Sequence, residues 1–289
     1  MPNKIAEKDL PNQKIIDCFL FFNEIDLLKT RLEYYGDLVD HFIITEGNTD
    51  FSGLRKPFIL SKELIKSLPF AEKIIYCPIS LNLNSVIWQF RKFRYRNNQK
   101  KFLWKIQDAQ RNGFLKALSQ FTDNDIVIFG DLDEFPSYEA ISAFANHFDQ
   151  QIMVCNQLMF YYNYLMLFTN ESWNGTIMLR KKQIHHKKLH KIRSQRNELP
   201  KINDGGWHFS YFLSIDQIQH KIESIADVEN LSHFKKIDSN TILKKMVLGM
   251  DLYDRDIQIT ILDENNLPIE EKLINILKRN MPFLEKTLT

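Results

Sequence analysis

The chain has 289 residues, and its 38 Lys and Arg nearly balance 36 Asp and Glu, for a formal charge of +2 at neutral pH. That balance excludes a partner chosen by net charge, so any electrostatic argument must be local. Hydrophobic content of 44% and charged content of 26% suit a globular α/β chain with ample core, and no apolar run is long enough to cross a bilayer.

KIIDCFLFF (14–22) is a continuous apolar run, the mark of a strand buried on both faces. Asn23 is placed to cap an amphipathic helix, with Ile25, Leu28, Leu32 and Tyr35 on one stripe and Gly36 as its stop. VDHFIITEG (39–47) and EKIIYCPI (72–79) read as the next strands. One long helix is expected over about 97–121, with Leu103, Ile106, Ala109, Gly113 and Ala117 facing one way. DIVIFGDLDEFP (125–136) holds another buried strand, after which Ser137 caps a helix, SYEAISAFANHF. Strands alternating with helices imply a mostly parallel, doubly wound sheet whose ligands bind at the carboxyl ends of the strands.

After about residue 150 the pattern turns extended, in QQIMVCNQLMFYYNYLMLF, WNGTIMLR and GGWHFSYF. An acid-free basic stretch, RKKQIHHKKLHKIRSQR (180–196), lies among them. From Ser214 onward the pattern is helical apart from one strand, IQITIL. No linker or repeat divides the chain, so one domain over 13–289 is expected. Cys18, Cys77 and Cys155 sit in apolar runs and read as free thiols, and the polar first residues carry no signal-peptide pattern. A cytoplasmic protein is the expectation, with contact at the inner face of a membrane allowed.

The unusual feature is the end of DIVIFGDLDEFP. The apolar run stops at Gly130, and Asp131, Asp133 and Glu134 follow at once. Such a cluster is costly unless a cation or hydrogen bonds compensate it. Hard carboxylate oxygens in one crevice suit Mg²⁺ or Mn²⁺, with positions left open for phosphate oxygens. The Asp-x-Asp spacing alone is weak: it recurs at Asp123 and Asp125 and at Asp254 and Asp256, where no buried strand precedes it. Turn or cap roles are expected there.

Five stretches resemble glycosyltransferase family 17, the family of the β-1,4-mannosyl-glycoprotein β-1,4-N-acetylglucosaminyltransferase. In order they are TEGNTDFSGLRKP (45–57), QDAQRNGF (107–114), DIVIFGDLDEFP (125–136), GGWHFSYF (205–212) and GMDLYDR (249–255). The resemblance implies a GT-A-type, Rossmann-like sheet flanked by helices with a helical C-terminal part. Residues 13–150 would then be the nucleotide-binding half, and 151–289 the acceptor half. It also implies a metal-dependent, inverting transfer from a UDP-sugar, most simply UDP-N-acetylglucosamine, to a glycan or lipid-linked saccharide.

On that resemblance, Asp131, Asp133 and Glu134 would hold Mn²⁺ or Mg²⁺ with His208 as a further ligand. Asp131, Glu46, Asn48, Ser52, Lys56, Arg111 and Trp207 would face the donor, Glu46 accepting from a ribose hydroxyl and Trp207 stacking on a sugar. An inverting enzyme needs one carboxylate as general base. Asp204, near His208 in sequence, is preferred to Glu171, which precedes SWNG.

Two other readings stay open. A nucleotidyltransferase also needs paired acids and metal, but FFNEIDLL follows the first strand where a Gly-rich phosphate loop is usual. A nucleic-acid-binding protein could use RKFRYRNNQKK (91–101) and the basic stretch 180–196. The near-neutral charge and the acids in the presumed cleft oppose it, so no nucleic acid partner is expected. His186 and His190 have helical spacing for zinc but no acid or cysteine beside them. A solvated loop, or contact with anionic headgroups, is the expectation for that stretch.

Overall fold

The computed structural model describes residues 13–146, 151–186, 189–224 and 237–286. One sheet runs through them, built from β1 (Ile15–Phe21), β2 (His41–Gly47), β3 (Ile74–Ile79), β4 (Ile126–Asp131), β5 (Glu134–Pro136), β6 (Ile152–Tyr161), β7 (Met166–Arg180), β8 (Lys201–Ile202), β9 (Gly206–Ser210) and β10 (Ile259–Ile261). The helices are α1 (Ile25–Tyr35), α2 (Lys62–Ser67), α3 (Val86–Arg94), α4 (Gln99–Arg111), α5 (Phe114–Leu118) and α6 (Tyr138–Asn146) in the first half. They continue as α7 (Gln183–His186), α8 (Leu189–Ser194), α9 (Ile215–Ser224), α10 (Ser239–Val247), α11 (Glu271–Asn280) and α12 (Phe283–Lys286).

The strand order is β3-β2-β1-β4-β7-β6-β9-β5, with β10 on β7 and β8 on β6. From β3 to β4 all pairings are parallel. Beyond β4 the sheet becomes mixed: β7 runs antiparallel to β4 and β6, β9 runs parallel to β6, and β5 runs antiparallel to β9. The expectation of a mostly parallel sheet is therefore corrected to a mixed one. The apolar runs of the second half are long enough for strands, but nothing in them encodes direction.

β1 is buried at every position, as its continuous apolar run predicts. Helices cover both faces. On one side α1, α6 and α11 pack over Phe19, Phe42, Ile128 and Phe135, and on the other α5 and α8 cover Ile16, Ile43 and Val127. The long helix expected over about 97–121 is broken into α4 and α5. Gly113 marks the break, and a Cβ there would lie 2.5 Å from Ile79 Cδ1 and 2.9 Å from Thr45 Cγ2. Helix α1 starts after Glu24 with no side-chain cap, so Asn23 is not its cap residue. Ser137 does cap α6, its hydroxyl accepting from the Ala140 N–H at 3.1 Å.

Two connections position the site. The turn after β4 leads straight into β5, whose Glu134 pairs with His208 of β9. That places β9 beside the carboxyl end of β4, which is itself in register with the end of β1 (Leu20 opposite Asp131).

Candidate functional site

The acidic turn is held from beneath by one buried cation. Arg31 of α1 is fully buried, as is its partner Asp17 of β1, with Nε to Oδ2 at 2.7 Å and Nη2 to Oδ1 at 2.8 Å. Its remaining donor, Nη1, reaches the carbonyls of Asp131 (3.3 Å), Leu132 (3.2 Å) and Glu134. A planar five-donor fork suits this task, because it binds a carboxylate bidentately and still has an N–H for the turn. Arg31 thus fixes the backbone from which the acids project.

The acids then point three ways. Glu134 is fully buried and turns back under the strand, accepting from the Asp131 N–H at 3.0 Å, Trp173 Nε1 at 2.8 Å and Arg193 Nη2 at 3.0 Å. Gly130 leaves it room, since a Cβ there would lie 2.8 Å from Glu134 Oε2. Asp131, with one-third of its side chain exposed, takes Arg111 Nη2 at 2.9 Å and also Arg193. Burial works to raise its carboxyl, but Arg111 and Arg193 outweigh that and hold it down to about 2. Asp133 faces Lys221 Nζ of α9 at 3.5 Å and His208 Nε2 at 3.6 Å. Burial again opposes ionisation, and Lys221 and His208 more than offset it, so this carboxyl too lies well below its ordinary value. Both are carboxylates at neutral pH.

Asp131, Asp133 and His208 open onto one cavity of ≈ 320 Å³, with Glu24, Lys221, Trp104, Gln107 and Trp173 among its other walls. Lys221 Nζ also lies 3.6 Å from Glu24 Oε1, so one ammonium sits between two carboxylates. The His208 ring stacks on Trp173, with centroids 4.9 Å apart. Its Nδ1 is buried without a hydrogen-bond partner among the described residues. A second cavity of ≈ 610 Å³ shares Trp104, Gln107, Asp131 and Trp173 with the first and is walled by Lys105, Arg111, Arg193 and Arg196. The Arg196 guanidinium lies over the Trp173 ring, 4.3 Å from its centroid. The two spaces form a single cleft with an acidic end and a cationic end, meeting at Asp131.

Several residues expected in a site are placed elsewhere. Glu46 is fully buried and its carboxylate is filled by Lys56 Nζ (2.7 Å), the N–H groups of Ile59 (2.7 Å) and Leu60 (3.2 Å) and the Tyr76 hydroxyl (2.8 Å). Lys56 is spent on that pair. Asn48 Oδ1 accepts from the Leu81 N–H at 2.8 Å, and the Ser52 hydroxyl donates to Asp50 at 2.8 Å. Ser52 lines a separate cavity with Gly53, Lys92 and Arg96. These residues build the loop after β2 and do not reach the acidic turn. Trp207 is buried, its indole N–H bonded to the Pro268 carbonyl at 2.5 Å.

Asp204 is exposed, at φ 50°, in the turn before β9. β9 runs in the same direction as β4, so Asp204 lies at the amino end of its strand, about 13 Å of chain from His208. Glu171 belongs to β7, and its side chain lies outside the described residues, as do those of His186 and His190. Arg111, expected to face the donor, ion-pairs with Asp131 at 2.9 Å and lines the second cavity.

Glu24, Lys221, Arg193, Arg196, Trp104 and Trp173 also line this cleft, with little in the sequence to mark them. Glu24 carried the one available signal, an acid directly after a buried strand. Arg193 and Arg196 were hidden in a basic stretch that reads as solvated.

Among the described residues no three His, Cys, Asp or Glu groups converge as a ready cage. Mg²⁺ is usually held by one or two carboxylates, with water and substrate phosphate completing its shell. Asp133 and His208, with Asp131 on the same wall, fit that pattern, and the Lys221 ammonium shows that positive charge is accommodated among these carboxylates. Glu134 does not fit, because it is fully buried and lines neither cavity, whereas Asp131, although Arg111 and Arg193 hold both its oxygens, lines both.

Comparison with known families agrees with this geometry. The family model described as glycosyltransferase family 17 matches residues 5–257, so the chain belongs to that family. No curated protein matches it.

Proposed function

We propose that this member of glycosyltransferase family 17 moves N-acetylglucosamine from its uridine-diphosphate donor to a hydroxyl of a glycan or lipid-linked saccharide, with inversion. What carries the reading is the two-ended cleft, in which an ionised carboxylate pair meets a cluster of guanidinium groups at Asp131. A nucleoside diphosphate-sugar has matching halves: a diphosphate for Arg111, Arg193, Arg196 and Lys105, and a sugar to lie over Asp133 and His208. Trp104 and Trp173 offer flat walls for a ring. The parallel sheet from β3 to β4, with the acids at its carboxyl end, supports a GT-A-type arrangement.

In this reading Asp133 and His208, with Asp131, hold Mn²⁺ or Mg²⁺, which when bound neutralises charge on the departing diphosphate. The chain's own guanidinium groups share that task and fix the diphosphate's position. A base for the acceptor hydroxyl must reach the sugar from the side opposite the leaving group. Glu24 faces the cavity across Lys221 from Asp133, and we assign it this role in place of Asp204, which the fold leaves in an exposed turn.

The test is release of UDP from UDP-N-acetylglucosamine in the presence of Mn²⁺ and saccharide acceptors. Glu24→Gln should lower kcat by about 10²–10⁴-fold with donor affinity near wild type, while Asp204→Asn should leave kcat unchanged. The opposite pattern returns the base to Asp204. Wild-type protein that releases no nucleoside diphosphate from any nucleotide sugar removes the donor assignment.

A further inference from the structure

We infer that helix α3 is a docking surface for an anionic phospholipid bilayer. Four of its apolar side chains stand in solvent: Val86 is 86% exposed, Ile87 66%, Phe90 62% and Phe93 64%. At about 100° per residue they share one face, roughly a third of the helix circumference. Trp88 on the opposite face is buried and packs edge-on against Phe102 of α4, with centroids 6.1 Å apart. The helix is therefore anchored by one side, and its outward side is the apolar one, the reverse of an ordinary surface helix.

The chain that carries that face is basic over a long stretch, with Asp108 at its edge paired to Lys105 at 3.0 Å. No Asp or Glu occurs between Glu72 and Asp108, whereas Arg91, Lys92, Arg94, Arg96, Lys101 and Lys105 do. Arg96 lies over the Phe93 ring, 4.6 Å from its centroid, so a cation borders the apolar patch directly. An interfacial helix has this construction: apolar side chains enter the boundary of headgroups and acyl chains while cations stay level with the phosphates. Nucleic acid fits less well, because the two most exposed side chains, Val86 and Ile87, have no ring on which a base could stack.

The patch also adjoins the cleft. Lys105 lines a shallow groove with Val86, Ile87 and Phe90 and also lines the cationic end of the cleft. Docking by α3 would bring the cleft mouth to the membrane surface. The surface itself does not depend on the transfer chemistry, so it stands or falls separately from it.

The experiment is co-sedimentation of the full chain with phosphatidylcholine vesicles, with and without about one-third phosphatidylglycerol. Wild type should bind the mixed vesicles, bind pure phosphatidylcholine weakly, and release as salt rises. The combined Ile87→Ser, Phe90→Ser and Phe93→Ser variant should lose about tenfold in vesicle binding with an unchanged melting temperature. Combined Lys92→Ser, Arg94→Ser and Arg96→Ser should erase the preference for anionic lipid. Wild type that ignores mixed vesicles overturns the proposal. So does undiminished binding by the apolar variant, or binding to single-stranded RNA in preference to vesicles.

Discussion

Two parallel strands end in acid, and the two ends behave differently. At the end of β2, Glu46 is satisfied mainly by the loop that follows it, through Lys56 and two backbone N–H groups, and the Tyr76 hydroxyl of the adjacent β3 completes the set. At the end of β4, Asp131 and Asp133 are balanced by cations from three other elements, Arg111 on α4, Arg193 on α8 and Lys221 on α9, with His208 of β9 beside Asp133. The first arrangement is closed, with no oxygen left for a ligand. The second opens onto a cleft, and its counter-charges sit on elements that a substrate can reach. A buried carboxylate is thus a site candidate when its partners are charged, distant and solvent-adjacent, and a structural tie when they are local and complete.

The largest effect expected from this contrast is on turnover. Asp133→Asn should lower kcat/KM on the order of 10³-fold, since it removes a ligand of the cation that would neutralise the departing diphosphate. Melting temperature should fall only slightly, because Lys221 keeps Glu24 as a partner. Equal turnover for wild type and variant in a UDP-release assay would break the comparison at its functional end.

Arg31 joins the two kinds of burial and comes next. Arg31→Met leaves Asp17 charged and unpaired in the core, which should cost about 3–5 kcal/mol in urea unfolding. Adding Asp17→Leu should restore most of that stability, since a buried pair often gives way to apolar side chains without loss. Turnover should stay low, because the carbonyls of Leu132 and Glu134 would lack their donor and the turn its fixed shape. Recovery of both stability and turnover in the double variant would show that Arg31 does not position the acids.

Glu46→Gln should show the reverse signature of Asp133→Asn. An amide nitrogen would face N–H and O–H donors, at a cost of about 1–3 kcal/mol in stability, with turnover per folded molecule retained. Lost turnover in fully folded protein would put Glu46 back at the donor, where the sequence reading has it.

The acidic turn and its parallel strands were legible because burial on both faces writes a continuous apolar run, and charge at its end stands out. Arg111 stood out only as part of the motif QDAQRNGF, 20 residues before Asp131. The direction of β7 was not, since an apolar run pairs equally well either way. Nor were Arg193 and Lys221: a cation 62 residues from Asp131 has no local mark that sets it apart from its solvated neighbours. Asp204 is four residues before His208, and along an extended strand that spacing is about 13 Å of chain, so nearness in sequence does not by itself bring the two side chains together.

The smallest effect concerns Asp251, whose motif GMDLYDR resembles the family pattern and which is more deeply buried than Asp133. Its carboxylate is 4% exposed and accepts from the Tyr253 and Arg255 N–H groups and from the Arg255 guanidinium, at 2.8–3.0 Å. All of these partners lie within four residues, which places Asp251 with Glu46 among the closed acids. Burial works to raise its carboxyl, but the bonds from Arg255 outweigh it and the folded value lies below the ordinary 3.8. A lowered carboxyl stabilises the fold fully above the unfolded value, and that contribution fades as pH falls through the folded one. Asp251→Asn should therefore cost about 1 kcal/mol near neutral pH and progressively less below about pH 4. Urea midpoints for wild type and variant should converge on acidification, with turnover at neutral pH unchanged. A loss of turnover without loss of stability would make Asp251 a site residue and undo the rule that local, complete partners mark a structural acid.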